Sequence, residues 1–202
     1  NALPWWDIHA EAFQHIGATI RKSGMRVSFH PGQYTVLNSP DEDVVARAIL
    51  DLAYHAKMLE CLGVDNQHKI VLHVGGIYGD KKEALGRFEL NFRRLPEAVR
   101  NRLIIENDDR LYNIEEVLEL AHRLQIPAVY DNLHHAINPT PSGGTDPYWI
   151  AEAKNTWKAV DGNQKIHYSQ QAPGKRPGAH TDTIDLKTFL TFHEQLEDKQ
   201  ID

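Results

Sequence analysis

The chain has 202 residues, 41% of them hydrophobic and 25% charged, with a formal charge of −6. This is enough for one domain with a sizeable core, a little short of the ~250 residues of a full eight-stranded α/β barrel. The charge gives no support to a strongly basic nucleic-acid binder, and no apolar stretch approaches the ~18 residues of a membrane span. Cys61 is alone, which excludes an internal disulfide framework and a thiolate metal cluster, and fits a reducing, cytoplasmic setting.

The opening Asn1-Ala2-Leu3-Pro4-Trp5-Trp6 has neither the basic region nor the apolar core of a signal peptide. It also lacks an initiator Met, so the chain is expected to begin within a longer protein. A helix is predicted from Trp6 to Lys22, ended by Gly24, and a strand follows from Arg26 to His30. Ser39-Pro40-Asp41-Glu42 reads as a helix start, with Ser39 capping and Pro40 in the first helical position. Val45, Ile49, Leu52, Ala56 and Leu59 give that helix one apolar face, and Gly63 ends it.

A strand from Ile70 to His73 comes next. Asp80 and Glu83 then form a capping pair for a helix through Leu95. The strand from Leu103 to Glu106 precedes a helix from Asn113 to Leu124, which Ile126-Pro127 separates from a strand running from Ala128 to Asp131. A helix over 147–160, a strand from Lys165 to His167 and a helix over 186–196 complete the order, with loops at 138–146 and 170–178. No internal repeat, low-complexity run or domain linker interrupts it, so residues 1–202 read as a single domain.

Alternating strands and helices predict a parallel sheet with right-handed crossovers. An open doubly wound sheet gathers its ligand site at one switch point. Here every apolar run stops on a metal-ligand type, at His30, His73, Glu106, Asp131 or His167. That favours a closed TIM (β/α)8 barrel, whose chemistry sits at the C-terminal rim of the strands. Five strands are legible, so the chain is expected to lack the first two strands and the last.

His30 opens His-Pro-Gly-Gln-Tyr, where Pro31 and Gly32 turn the chain and allow close backbone approach. Alone, such a His is as readily a buried strand-end residue as a ligand. His73 is followed by Gly75-Gly76, and Asp80 is better read as a cap. Glu106-Asn107-Asp108-Asp109 concentrates acid after an apolar strand. Asp108 and Asp109 read as solvated, whereas Glu106 abuts the strand and is suited to bridging two metals. Asp131 and His134 are spaced as two ligands in a tight turn, and His135 can face away.

Lys165 and His167, two apart, face the same way, which makes Lys165 a buried cation near the acids. The alternative for it is a salt bridge at the start of the strand. Lys175 and Arg176, in the loop before His180, are candidates for phosphate contacts, or equally a solvated loop. The remaining His, such as His55 and His68, read as surface or packing residues. A donor set of N and O without S suits Mn²⁺ or Zn²⁺. Two or three such ions would offset the net charge locally, and a closely spaced pair activates water for phosphoryl displacement.

These segments resemble the UV damage endonuclease family. The stretches that carry the likeness are Ser28-Phe29-His30-Pro31-Gly32-Gln33-Tyr34, Leu72-His73-Val74-Gly75-Gly76, Tyr78-Gly79-Asp80-Lys81 and Glu106-Asn107-Asp108-Asp109. Asp131-Asn132-Leu133-His134-His135, Lys165-Ile166-His167-Tyr168-Ser169 and Gly178-Ala179-His180-Thr181-Asp182 complete it, covering nearly the whole chain. The resemblance implies a TIM barrel with two or three divalent ions, usually Mn²⁺. It implies nicking of DNA 5′ to UV photoproducts, leaving 3′-hydroxyl and 5′-phosphate ends.

It also implies metal ligation by His30, His73, Glu106, Asp131, His134, His167 and His180. Glu106, Lys165 and His167 would serve the catalytic centre, and Gln33 and Tyr34 would enter the duplex at the lesion, where an aromatic wedge can fill an unstacked gap. Two further family ligands, a His upstream and a Glu downstream, have no counterpart in this chain. The expected partner is UV-damaged double-stranded DNA, with no membrane and no obligate protein partner. The expected state is a monomer in the cytoplasm, nucleoid-associated in a bacterium. The alternatives are an abasic-site endonuclease, a sugar isomerase-like barrel and a non-catalytic lesion-binding fragment.

Overall fold

Four of the five apolar runs become the strands of one parallel sheet, and the run before His30 adds only a bridge at Phe29. In the computed structural model the described residues are 3–202, and Asn1 and Ala2 lie outside them. In chain order the elements are α1 (Trp5–Ile8), α2 (Ala10–Ser23), α3 (Glu42–Cys61), β1 (Ile70–His73), α4 (Lys81–Arg94) and α5 (Glu97–Arg100). Then come β2 (Leu103–Glu106), α6 (Ile114–Leu124), β3 (Ala128–Asp131), α7 (Asn132–Ile137), α8 (Asp146–Lys154), β4 (Ile166–His167) and α9 (Leu186–Glu194), with a 3₁₀ turn, Ala159–Asp161, before β4.

The sheet order is β1-β2-β3-β4, so each strand pairs with its sequence neighbour and all pairs are parallel. Single parallel bridges extend it at both edges, Phe29 to Ile70 and Gln164 to Ile201. The result is an arc of an α/β barrel with helices outside. At the Ile201 bridge Asp202 N donates to Gln164 O at 2.9 Å and Ile166 N to Asp202 O at 3.0 Å.

Side-chain alternation places the site. Ile70, Leu72, Leu103, Ile105, Ala128 and Tyr130 point outward into the main core beneath the helices. Val71, Ile104 and Val129 point inward and form a second small cluster, with Trp157 packed on it. Two residues further along the same strands come His73, Glu106 and Asp131. They therefore form the layer above that apolar plug. Register sets His73 beside Glu106 and Asp131 beside His167.

Several local expectations are corrected by tertiary contacts. The predicted first helix breaks at His9 (φ −107°, ψ 18°), which separates α1 from α2. The cap of α3 is Asp41, not Ser39: its carboxylate accepts from Asp43 N and Val44 N, while Ser39 Oγ accepts from Asp41 N. The predicted helix over 147–160 ends at Lys154 because the next residues are used elsewhere. Thr156 Oγ1 accepts from Ala128 N at 2.8 Å, and Trp157 Nε1 donates to Ala128 O at 2.8 Å.

Before His30 only Phe29 keeps ladder bonds, because Val27 N donates instead to His68 Nδ1 at 3.1 Å. The short α5, behind Pro96, had no clear signal in the sequence. The caps at Asp80 and Asn113 are as expected, the latter a full capping box with Glu116.

At the N-terminal ends of the strands Lys69 is 2% exposed. It donates to Asp161 Oδ1 at 2.5 Å and to Asn101 O at 3.2 Å. Burial lowers the lysine pKa and Asp161 opposes that shift. Removing one partner strands the other charge without water. Asp161→Ala is therefore expected to destabilise the fold by about 3–5 kcal/mol, read from urea denaturation. An unchanged midpoint would show that the pair contributes nothing.

Candidate metal centre

Glu106 ends β2 and is 1% exposed, and its carboxylate is the centre of the cluster. Oε2 accepts from His30 Nε2 at 3.0 Å and Oε1 from His167 Nδ1 at 2.9 Å. His73 Nε2 lies 3.9 Å from Oε2, and His134 Nδ1 lies 3.6 Å from Oε1. Four imidazoles thus surround one buried carboxylate. Asp131, 2% exposed, ends β3 and caps α7 by accepting from His134 N at 2.8 Å.

The ionisation states follow from these contacts. Burial pushes the Glu106 carboxyl upward, but hydrogen bonds from His167 and His30 outweigh it and hold the group well below the usual carboxylate range. The hydrogen bond to Glu106 raises His30, whose Nδ1 also faces Pro31 O at 3.3 Å. Burial lowers His73, chiefly against the pull of Glu106, and raises Asp131. The shifts centre on the buried carboxylates Glu106 and Asp131, while His30 reaches the exposed side of the cluster.

Two groups of donor atoms lie within 4.8 Å of one another: His30, His73 and Glu106, and Glu106, Asp131 and His167. They share Glu106. His73 Nδ1 is buried without a hydrogen-bond partner among the described residues. A mixed imidazole and carboxylate donor set around a shared anion fits divalent cations with N/O preference. His134 lies against the cluster with Nδ1 turned to Asn107 O at 2.9 Å, an arrangement that leaves Nε2 for a ligand.

His180 stands further out. It is exposed, its ring is 6.2 Å from that of His134, and its Nδ1 is 3.4 Å from Ser169 Oγ. His135 is buried and faces away, against Tyr130 and Trp149. Lys165, level with Val129, is half-buried inside the barrel. Its pKa is lowered by burial and by Arg26, and raised by Asp202 and Glu106.

A cleft of about 350 Å³ opens above the cluster, lined in part by Pro31, Gln33, His73, His134 and Arg176. Gln33 and Tyr34 occupy a turn at its edge, and Tyr34 is 83% exposed. Lys175 is exposed on the same loop as Arg176. Asp108 is not the free loop acid expected: it accepts from Arg110 N, Leu111 N and Tyr112 N and shapes its own turn. Sequence reasoning also passed over the bonding of Asn107 and Asn132. The one available signal was that each directly follows a strand-end acid.

Fold and site together define a TIM barrel with a His and carboxylate cluster at the C-terminal rim. The family model of the UV-endonuclease UvdE matches residues 5–201, and the chain belongs to that family. A UV DNA damage endonuclease of Clostridium perfringens is 39% identical over 198 residues, 98% of this chain and 48% of the relative. One of Bacillus velezensis is 37% identical over 194 residues, 95% of this chain and 60% of the relative. The chain thus spans about half to three-fifths of the length of the curated relatives it matches.

A crystal structure of SacUVDE superposes with TM-score 0.92 at 38% identity, covering 100% of this chain and 67% of that one. A family 2 AP endonuclease from Brucella melitensis, at 16% identity and TM-score 0.54, shares the fold alone.

A divalent ion held by His30 and Glu106 would have to displace the proton of the hydrogen bond between them. Because Glu106 raises the His30 pKa, the protonated state persists above the ordinary value of about 6.5. Divalent affinity should therefore rise with pH and level off once His30 is neutral. Mn²⁺ titrations from about pH 5.5 to 8.5 test this, and affinity independent of pH would contradict it.

Proposed function

We propose that the chain forms the metal-binding rim of a DNA repair endonuclease that cuts the phosphodiester backbone 5′ to UV photoproducts. The observation that carries the reading is the buried Glu106 ringed by His30, His73, His134 and His167, in a chain whose family match runs from residue 5 to residue 201. His30, His73, Glu106, Asp131, His134, His167 and His180 would hold two or three divalent ions, with Mn²⁺ the preferred identity. When bound, such ions supply an activated water and charge stabilisation for in-line phosphoryl displacement.

The chain's own groups account for the rest. Glu106 holds the imidazoles of His30 and His167 by its two oxygens and keeps the negative charge that cations share. His73 is kept neutral by burial, ready to ligate. Lys165 places a cation beneath the acids and limits their mutual repulsion. Arg176 at the cleft, with Lys175 beside it, suits contact with backbone phosphates.

Gln33 and Tyr34 project from the rim, and an exposed aromatic there suits insertion into a duplex already weakened by a photoproduct. The partner is UV-damaged double-stranded DNA. The protein is read as a monomer acting in the cytoplasm, at the nucleoid in a bacterium.

Nicking of UV-irradiated DNA in Mn²⁺, compared with abasic and undamaged DNA, tests the assignment in the protein that carries this chain. Preferential cutting at photoproducts is expected, with loss of at least about 100-fold in Glu106→Gln. Equal cutting of abasic DNA would turn the reading to an abasic-site endonuclease. Tyr34→Ala should weaken binding to irradiated duplex by about 1–3 kcal/mol while leaving Mn²⁺ affinity intact. Unchanged discrimination of damaged DNA would remove Tyr34 from lesion recognition.

A further inference from the structure

Both acids of the cluster are followed by an asparagine, Glu106-Asn107 and Asp131-Asn132. Neither amide is a donor to a metal in the groups above. Each spans instead to the next ligand-bearing strand. Asn107 is 0% exposed; its Nδ2 donates to Asp131 O at 3.1 Å and its Oδ1 accepts from Asp131 N at 2.9 Å.

Asn132 repeats the arrangement one strand further. Its Nδ2 donates to Ser169 O at 3.0 Å and its Oδ1 accepts from Ser169 N at 2.8 Å. Ser169 lies two residues beyond His167, and its Oγ is 3.4 Å from His180 Nδ1.

The geometry has a physical reason. Ladder pairing between β2 and β3 ends at Glu106 with Val129, so Asp131 lies past it. Its buried main-chain N–H and C=O need partners. A primary amide offers one acceptor and a donor in the same relation as a peptide group. It can therefore continue the ladder by one step where the strands of a barrel diverge. The main-chain carbonyl of Asn107 adds a bond to His134 Nδ1 at 2.9 Å, which orients that ring.

The stitching continues on the other side of Glu106. Tyr112 Oη donates to Gly76 O at 3.2 Å, and Asn38 Nδ2 donates to the same oxygen at 2.6 Å. These bonds connect the loops after β1 and β2 with the loop after His30.

We infer that Asn107 and Asn132 are positioning residues of the metal centre: their amides extend the β-ladder past its end and fix the spacing of Glu106, Asp131, His134, His167 and His180. The inference rests on the metal reading above. It differs from a plain structural role in one respect. A structural bond lost anywhere lowers stability, whereas a lost positioning bond lowers metal affinity in protein that is still folded.

The test is Mn²⁺ titration followed by EPR of the free ion, on the unaltered protein, Asn107→Ala, Asn132→Ala and Thr156→Ala. Thr156→Ala removes a buried bond to Ala128 N at the opposite end of β3 and serves as the structural control. All are titrated well below their melting temperatures, with folding checked by circular dichroism.

The asparagine variants are expected to bind Mn²⁺ about 10–100-fold more weakly, the usual effect of removing an outer partner of a metal ligand. Thr156→Ala should lower Tm with affinity within about twofold of the parent, a change near 0.4 kcal/mol or less. Asn132 is half-buried, so Asn132→Ala carries the test if the buried Asn107 position proves intolerant. Parental affinity in the folded asparagine variants, or an equal loss in Thr156→Ala, overturns the inference. An unaltered protein that binds no Mn²⁺ overturns the metal reading and this inference with it.

Discussion

The structure depends on one buried carboxylate. Glu106 sits in the barrel interior, where an uncompensated charge would be costly, and the surrounding chain is arranged to compensate it. His30, just past the Phe29 bridge, and His167, at the end of β4, meet its two oxygens from either side at hydrogen-bond distance. His73 pairs with it in register on the adjacent strand. Removing charge from that point would leave several imidazoles facing one another, with rings of His30 and His73 only 5.1 Å apart. Anion and imidazoles are therefore mutually required, and the same mutual requirement is what suits the cluster to cations.

The barrel makes that arrangement possible by simple alternation. Every second residue of a strand points inward, so an apolar layer of Val71, Ile104 and Val129 lies directly beneath the ligand layer. The plug keeps water out from below and leaves the open side at the rim. There the cleft, the Gln33-Tyr34 turn and Arg176 meet the outside. At the opposite end Lys69 and Asp161 close the strand starts. Stability and chemistry are thus divided between the two ends of the same strands, joined by the ladder and its asparagine extensions.

The strand ends were legible because burial on both faces writes parallel strands as short apolar runs, and a charged or imidazole side chain at the end of such a run stands out. The helix caps at Asp80 and Asn113 were legible because their hydrogen bonds are local. Errors fell where a distant residue took over a local group. Thr156 and Trp157 leave the predicted helix to satisfy Ala128. His68 replaces the ladder partner of Val27. Asp108 is the local exception: its carboxylate accepts from Arg110 N, Leu111 N and Tyr112 N of the loop that follows it.

By itself the sequence determined the order of the strands and the helices between them, the parallel barrel class and the His and acid side chains at the ends of the apolar runs, since these follow from periodicity, punctuation and residue type along the chain. Only the tertiary structure decided which side chains share Glu106, that His180 stands apart from the inner cluster, and that the Asn107 and Asn132 amides bond across to Asp131 and Ser169. Those outcomes depend on register and on the radial direction of each side chain. Both are set by packing between strands that are far apart in the chain, and no local pattern encodes that packing.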